Sequence, residues 1–153
     1  MMDGMAGGGN PPSAADNNSV ATEVFIVDSG ASVHATGDRR VFSHLSVIVQ
    51  PESSTAATRR SRSRAHVRVA NGSELPIHGF GTVRRDHITL HGVLFVPGLS
   101  KNIVSVPKLT ERGYTVEFTH TRCFIRDAYG ATAGQASLVN GLYELDFLQD
   151  PRD

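Results

Sequence analysis

The sequence predicts an all-β domain, a sandwich or a barrel, with one short helix. Three observations predict it. From Ala65 onward apolar and polar residues alternate with a period of two, turn-forming pairs recur at close spacing, and a single stretch carries strong helix punctuation. Short strands of this kind each have one face to bury, which they do by packing sheet on sheet or by curling the sheet onto itself.

Residues 1–22 are mostly Gly, Asn, Pro, Ser and Ala with little to bury, and read as a disordered lead-in. The folded domain is expected over 23–148, followed by a short tail at 149–153. It opens with Val24, Phe25, Ile26 and Val27, an apolar run stopped by Asp28, which is the pattern of a buried strand. Asp38 is placed to open a helical turn running to Phe42. Residues 51–64 are polar and unpatterned and read as a variable surface loop. The arginines at 59, 60, 62 and 64 are expected to be solvated charge, because no aromatic residue accompanies them as a base-stacking partner would.

Ala65, Val67 and Val69 alternate with His66 and Arg68 and lead into Asn71-Gly72, a strong hairpin signal. Leu75, Ile77, Val83, Ile88, Leu90 and the run from Val93 to Val96 continue the strands, with Gly79, Gly81 and Gly92 marking bends or bulges. Pro97-Gly98 breaks the pattern. Residues 102–106 form another strand, and 107–112 a short helix closed by Gly113. Tyr114, Val116 and Phe118 alternate again. Cys123, Phe124 and Ile125, then residues 142–147, add strands set off by turns at 127–130 and 140–141.

The 153 residues suffice for one domain with a real core. Fifteen basic and fifteen acidic residues cancel, so no whole-chain field points to nucleic acid or a membrane surface. A lone cysteine, Cys123, forms no internal disulfide and reads as a small core residue. With no signal-peptide pattern and no span-length apolar stretch, a cytoplasmic protein is expected. None of the seven histidines has the spacing of zinc ligands, so neither a metal nor another cofactor is expected.

The chemistry lies in Asp28-Ser29-Gly30-Ala31-Ser32, set directly after the first apolar strand. Two carboxylates that share one proton can activate water against a peptide carbonyl, because like charges about 3 Å apart cannot both ionise. Such chemistry needs an Asp at a strand end, a neighbouring hydroxyl to brace the loop, and a glycine to let backbone approach the carboxylate. Asp28, Ser29 and Gly30 supply these in order, with Asp28 the candidate catalytic residue and Ser29, Gly30 and Ala31 its loop. Asp-Ser-Gly alone is also a common Asx-turn tripeptide. A serine nucleophile at Ser29 lacks its Gly-x-Ser-x-Gly elbow.

Four segments, the first containing that loop, carry a family resemblance. FIVDSGASVHATGDRRVF resembles the opening of the Copia-type retrotransposon protease, and VRVANGSELPIHGFGTV resembles that family's A-D/N-G-S segment with its I-x-G-x-G-x-V continuation. LHGVLFVPGLSKNIVSVPKLTERGYTVEF and the closing GLYELD are similar to its later blocks, so the resemblance runs from about Val24 to Asp146. It implies a retropepsin-like closed β-barrel and an aspartic endopeptidase that cleaves Gag-Pol polyprotein without a cofactor. Asn102-Ile103-Val104-Ser105 stands where viral retropepsins have an N-I-I-G strand; Ser105 replaces their glycine, as in the Copia pattern. By the same register the hairpin over 69–77 becomes a substrate-covering flap, with Ala70, Asn71, Gly72 and Ser73 at its tip.

Asp38, Asp86, Asp127 and Asp146 lack the strand-Asp-Ser-Gly context and read as turn or surface residues. One motif per chain implies a homodimer with Asp28 and its mate on the two-fold axis, and residues 142–147 offer a terminal strand for joining the copies. Expression within an element would place the protein in a virus-like particle. The alternative is a catalytically inactive, domesticated or degenerate β-barrel that serves as a peptide-binding or dimerisation module.

Overall fold

The computed structural model describes residues 24–49 and 65–150. The lead-in expected at 1–22 and the basic loop at 51–64 lie outside the described residues. The first apolar run becomes β1 (Phe25–Asp28), and Phe25, Ile26 and Val27 are all buried. Burial on both faces is what a continuous apolar run requires, and the two edges of β1 are also taken, parallel to β8 (Asn102–Ser105) on one side and antiparallel to β12 (Leu142–Gln149) on the other.

Between these, the described chain forms β2 (His34–Thr36), a 3-10 turn at Arg39–Val41, β3 (Phe42–Val47), β4 (His66–Arg68), β5 (Glu74–Pro76), β6 (Gly79–Arg85) and β7 (Ile88–Phe95). After β8 come α1 (Val106–Glu111), β9 (Thr115–Phe118), β10 (Arg122–Arg126) and β11 (Thr132–Val139). The domain is thus all-β with one short helix. Asp38 caps the 3-10 turn by accepting the Arg40 amide, and Ser105 caps α1 by accepting the Lys108 amide. Both match the preference for a short polar acceptor where a helical turn leaves its first amides unpaired. Gly113 ends the helix at φ +89°, the left-handed conformation that favours glycine there.

Ten strands form one sheet in the order β3-β6-β7-β2-β8-β1-β12-β11-β10-β9. Pairing also returns from β12 to β7, where Leu148 and Gln149 lie beside Ile88 and Thr89. Five strands are thereby linked in a circuit, and β3–β6 and β11–β10–β9 extend from it as two arms whose outer edges have no further strand among the described residues. Phe25, Val41, Val83, Leu90, Val93, Val104, Leu109, Ile125 and Leu148 are almost fully buried and pack as one core. Each stabilises the fold by roughly 1.5–3 kcal/mol through the apolar surface it removes from water. β4 and β5 form a separate two-stranded hairpin.

Three strands are absent from the sequence reading. β2 reads His-Ala-Thr, β3 Phe-Ser-His-Leu-Ser-Val, and β11 Thr-Ala-Gly-Gln-Ala-Ser-Leu-Val. They owe their strand state to neighbours supplying hydrogen bonds, since propensity and alternation are weak in all three. The expected tail at 149–153 begins too early. Gln149 is the last residue of β12, and Asp150 is 2% exposed, accepting from the Tyr114 hydroxyl at 2.8 Å and pairing with Arg112 at 2.9 Å.

Candidate functional site

Asp28 is the last residue of β1, half-buried at the point where the strand leaves the sheet. The Gly30 amide donates to its Oδ1 at 2.7 Å. A Cβ on Gly30 would sit 3.3 Å from that oxygen, so glycine keeps the approach open. Ser29 is exposed and Ala31 half-buried. The parallel register sets Asp28 beside Ser105, whose hydroxyl donates to the Ala31 carbonyl at 2.6 Å. The chain entering β2 is therefore tied to the strand flanking β1.

The far end of β2 is held as well. The Thr36 hydroxyl donates to Asn102 Oδ1 at 2.6 Å, and Asn102 Nδ2 donates to the Val24 carbonyl at 3.1 Å. His34, 2% exposed, accepts the Ser105 amide on Nδ1 at 2.9 Å. Its pKa is lowered to about 4, chiefly because burial disfavours the charged ring, with the Lys108 and Arg112 cations adding to the effect.

A cleft of about 360 Å³ opens at Asp28 and Ser29, walled by Ile26, Lys101, Phe118, Leu142 and Tyr143. The Phe118 and Tyr143 rings meet edge to face with centroids 4.9 Å apart. A larger cleft of about 530 Å³ shares Ile26, Lys101 and Leu142 and runs past Val24, Asp38 and Leu99. Its carboxylate, Asp38, is engaged. It accepts the Arg40 amide and pairs with the Arg40 guanidinium, whose hydrogen bond holds its pKa below the ordinary value. Chemistry is better served by the smaller cleft, where the carboxylate stands at a loop built around it. Asp28 is the one carboxylate among the described residues lining that cleft.

The other acids are occupied or peripheral. Asp127 accepts the Tyr129 and Ala131 amides in a turn, Asp146 accepts from Gln135 and Ser137, and Asp86 is exposed. Cys123 is fully buried, and burial pushes its thiol up to about 11. No His, Cys, Asp and Glu cluster fit to hold a metal ion occurs among the described residues.

The hairpin of β4 and β5 turns at Ala70, Asn71, Gly72 and Ser73, all exposed. The Ser73 amide donates to Asn71 Oδ1 at 2.9 Å, and Gly72 takes φ +85°. These tip residues do not line the Asp28 cleft. Sequence reasoning assigned no part in the site to Lys101, Phe118 and Tyr143. Lys101 and Tyr143 reach Asp28 through the pairing of β1 with β8 and β12, Phe118 comes from β9 against the Tyr143 ring, and no local signal carries that arrangement. His34 and Ser105 stand in recognisable blocks, but their bond to one another is tertiary.

The Pol polyprotein, beta-barrel domain family matches residues 25–114. The chain belongs to that family. Family membership takes in β1, the Asp28 loop, the hairpin, β8 and α1. Among curated proteins the chain is similar to the retrovirus-related Pol polyprotein from transposon RE1 of Arabidopsis thaliana, 32% identical over 126 residues. That match covers 78% of this chain and 8% of the relative. It is also similar to the putative transposon Ty5-1 protein of Saccharomyces cerevisiae, 35% identical over 82 residues, 54% of this chain and 47% of that protein. The chain thus spans less than half the length of either relative. No solved structure matches it significantly.

Proposed function

We propose that this domain is an aspartic endopeptidase half-site, acting on Gag-Pol-type polypeptide as a retropepsin-like barrel in a homodimer. The observation that carries the proposal is Asp28 itself: a half-buried carboxylate at a strand end, facing a cleft, with the Gly30 amide on one oxygen. In this reading Asp28 and the same residue of a second copy share one proton. One carboxylate takes a proton from water as it attacks the peptide carbonyl, and the other donates to the developing oxyanion. Ser29, Gly30 and Ala31 hold the loop, and the exposed hairpin tip at Ala70 to Ser73 folds over bound peptide. Membership in a Pol polyprotein family supports the substrate class.

A cleft with one carboxylate supports the dimer, and equally favours a second reading, a non-catalytic peptide-binding module. Cleavage of denatured polyprotein at mildly acid pH separates them. A true half-site gives specific activity that rises with protein concentration and is poisoned by excess Asp28→Asn chains. Activity strictly proportional to wild-type concentration and indifferent to the variant would exclude a shared site.

A further inference from the structure

Ser105 is fully buried beside Asp28, and its amide and hydroxyl tie β2, α1 and the Asp28 loop together. Its hydroxyl donates to the Ala31 carbonyl and accepts the Lys108 amide at 3.2 Å, while its own amide donates to His34 Nδ1. An imidazole that accepts on Nδ1 carries its proton on Nε2 and is neutral. A second proton would turn Nδ1 into a donor aimed at a donor, breaking the bond that seats Ser105.

We propose that neutral His34 is a positioning residue for the Asp28 loop, acting through Ser105, and that its protonation releases the loop and sets an acid limit on the site. The hydrogen-bond chain stands on geometry alone, whereas its consequence for catalysis rests on the endopeptidase reading above. The charges facing the ring come from α1, from Arg112 that caps it, and from Asp150 just past β12. Lys108 and Arg112 oppose a second proton, and Asp150 and Glu111 favour one. Val93, paired with His34 from β7, and Ile103, paired with Ala35 from β8, carry no charge. Burial outweighs the two carboxylates and keeps the ring neutral down to about pH 4. A histidine that merely filled core space would have no need to bond the one amide whose residue also grips the active loop.

The test is a nitrogen-15 NMR titration of the Asp28→Asn chain, in which the catalytic carboxyl is silent. We expect the ring proton on Nε2 near pH 6 and a slowly exchanging Ser105 amide. The Ser105, Ala31 and Ser32 amides should then move together with the ring's own midpoint. A proton on Nδ1, fast exchange at Ser105, or loop amides that hold still while the ring titrates would overturn the proposal. If acid unfolds the chain first, the tautomer and the Ser105 exchange rate decide. Adding His34→Asn, whose carbonyl accepts but does not titrate, should remove the shared transition, and its persistence would also overturn the proposal.

In a peptide-cleavage assay with Asp28 intact, His34→Phe should lower kcat by about tenfold or more with KM little changed, and His34→Asn should restore most of it. Equal loss in both variants would count against the acceptor role. No cleavage by the wild-type chain would count against the endopeptidase reading, and the ring titration would still decide this one.

Discussion

A carboxylate at the end of a buried strand has to be kept from turning aside into solvent, and at Asp28 the 2.7 Å bond from the Gly30 amide does this. Asp28→Asn keeps the shape and the acceptor but cannot shuttle a proton. The variant should fold like the parent and lose cleavage, as a circular-dichroism melt and a peptide assay together would reveal. His34 adds a stability term with a definite sign. Its folded pKa, about 4, lies below the ordinary 6.5, so between those values the unfolded chain binds a proton that the folded chain refuses. Stability should fall as pH drops from 6.5 toward 4, by about 3 kcal/mol from this residue, and the loss should level off below that. Urea midpoints measured across the window check it, and His34→Asn should flatten the slope. Asp28 was readable because an apolar run stops on it. Ser105's grip on Ala31 was not, because it depends on which strand lies beside β1.

At the scale of elements, two glycines of β6 let β3 approach closely. A Cβ on Gly79 would sit 2.6 Å from the Ser46 carbonyl, and one on Gly81 would overlap the His44 carbonyl. The pairing of β3 with β6 also carries an irregularity between Phe42 and His44, so the strand bends where the glycines admit it. Gly81→Ala should therefore cost about 2 kcal/mol or more, because backbone rather than a flexible side chain must yield. Chemical denaturation measures it, and a change under 0.5 kcal/mol would mean β3 can back away freely. Gly79 and Gly81 were read as bends from the sequence, and the structure gives that reading a cause. β3 itself went unread because Phe42, Leu45 and Val47 are interrupted by Ser43, His44 and Ser46, with no clean period of two. β11 hid behind Ala, Gly and Ser, which pack against β10 and β12 without displaying hydrophobicity. The hairpin at Asn71-Gly72 was legible from two residues, because Gly72 takes a positive φ and the Asn71 side chain accepts the Ser73 amide.

For the whole molecule the decisive strand is the last. β12 pairs with β11 along most of its length, with β1 at Ile26, and with β7 at its end. Both its edges are occupied within the chain, so it does not offer the terminal strand expected to join two copies. The proposed dimer would use other surfaces, and among the described residues β3, β9 and the two strands of the β4–β5 hairpin have an edge with no strand beside it. Just past β12, Asp150 has its carboxylate buried against Arg112 and Tyr114. Asp150→Ala would remove a buried carboxylate from that guanidinium and hydroxyl and should destabilise the fold by about 3 kcal/mol, measured by thermal or urea unfolding. A deletion after Leu148 should do at least as much. Alternation made most strands visible, but the order in which they meet across the chain left no local mark.

That order has a consequence in time. β1 lies between β8 and β12, and its register with Glu144 needs a segment made roughly 120 residues after it, several seconds or more at ordinary translation rates. Ser105 and β8 come first and can hold the loop and one edge of β1, but the other edge waits for β12. The Asp28 cleft is thus incomplete during synthesis until β12 has supplied Leu142 and Tyr143 to its wall. Its assembly is timed by the arrival of the domain's own last strand.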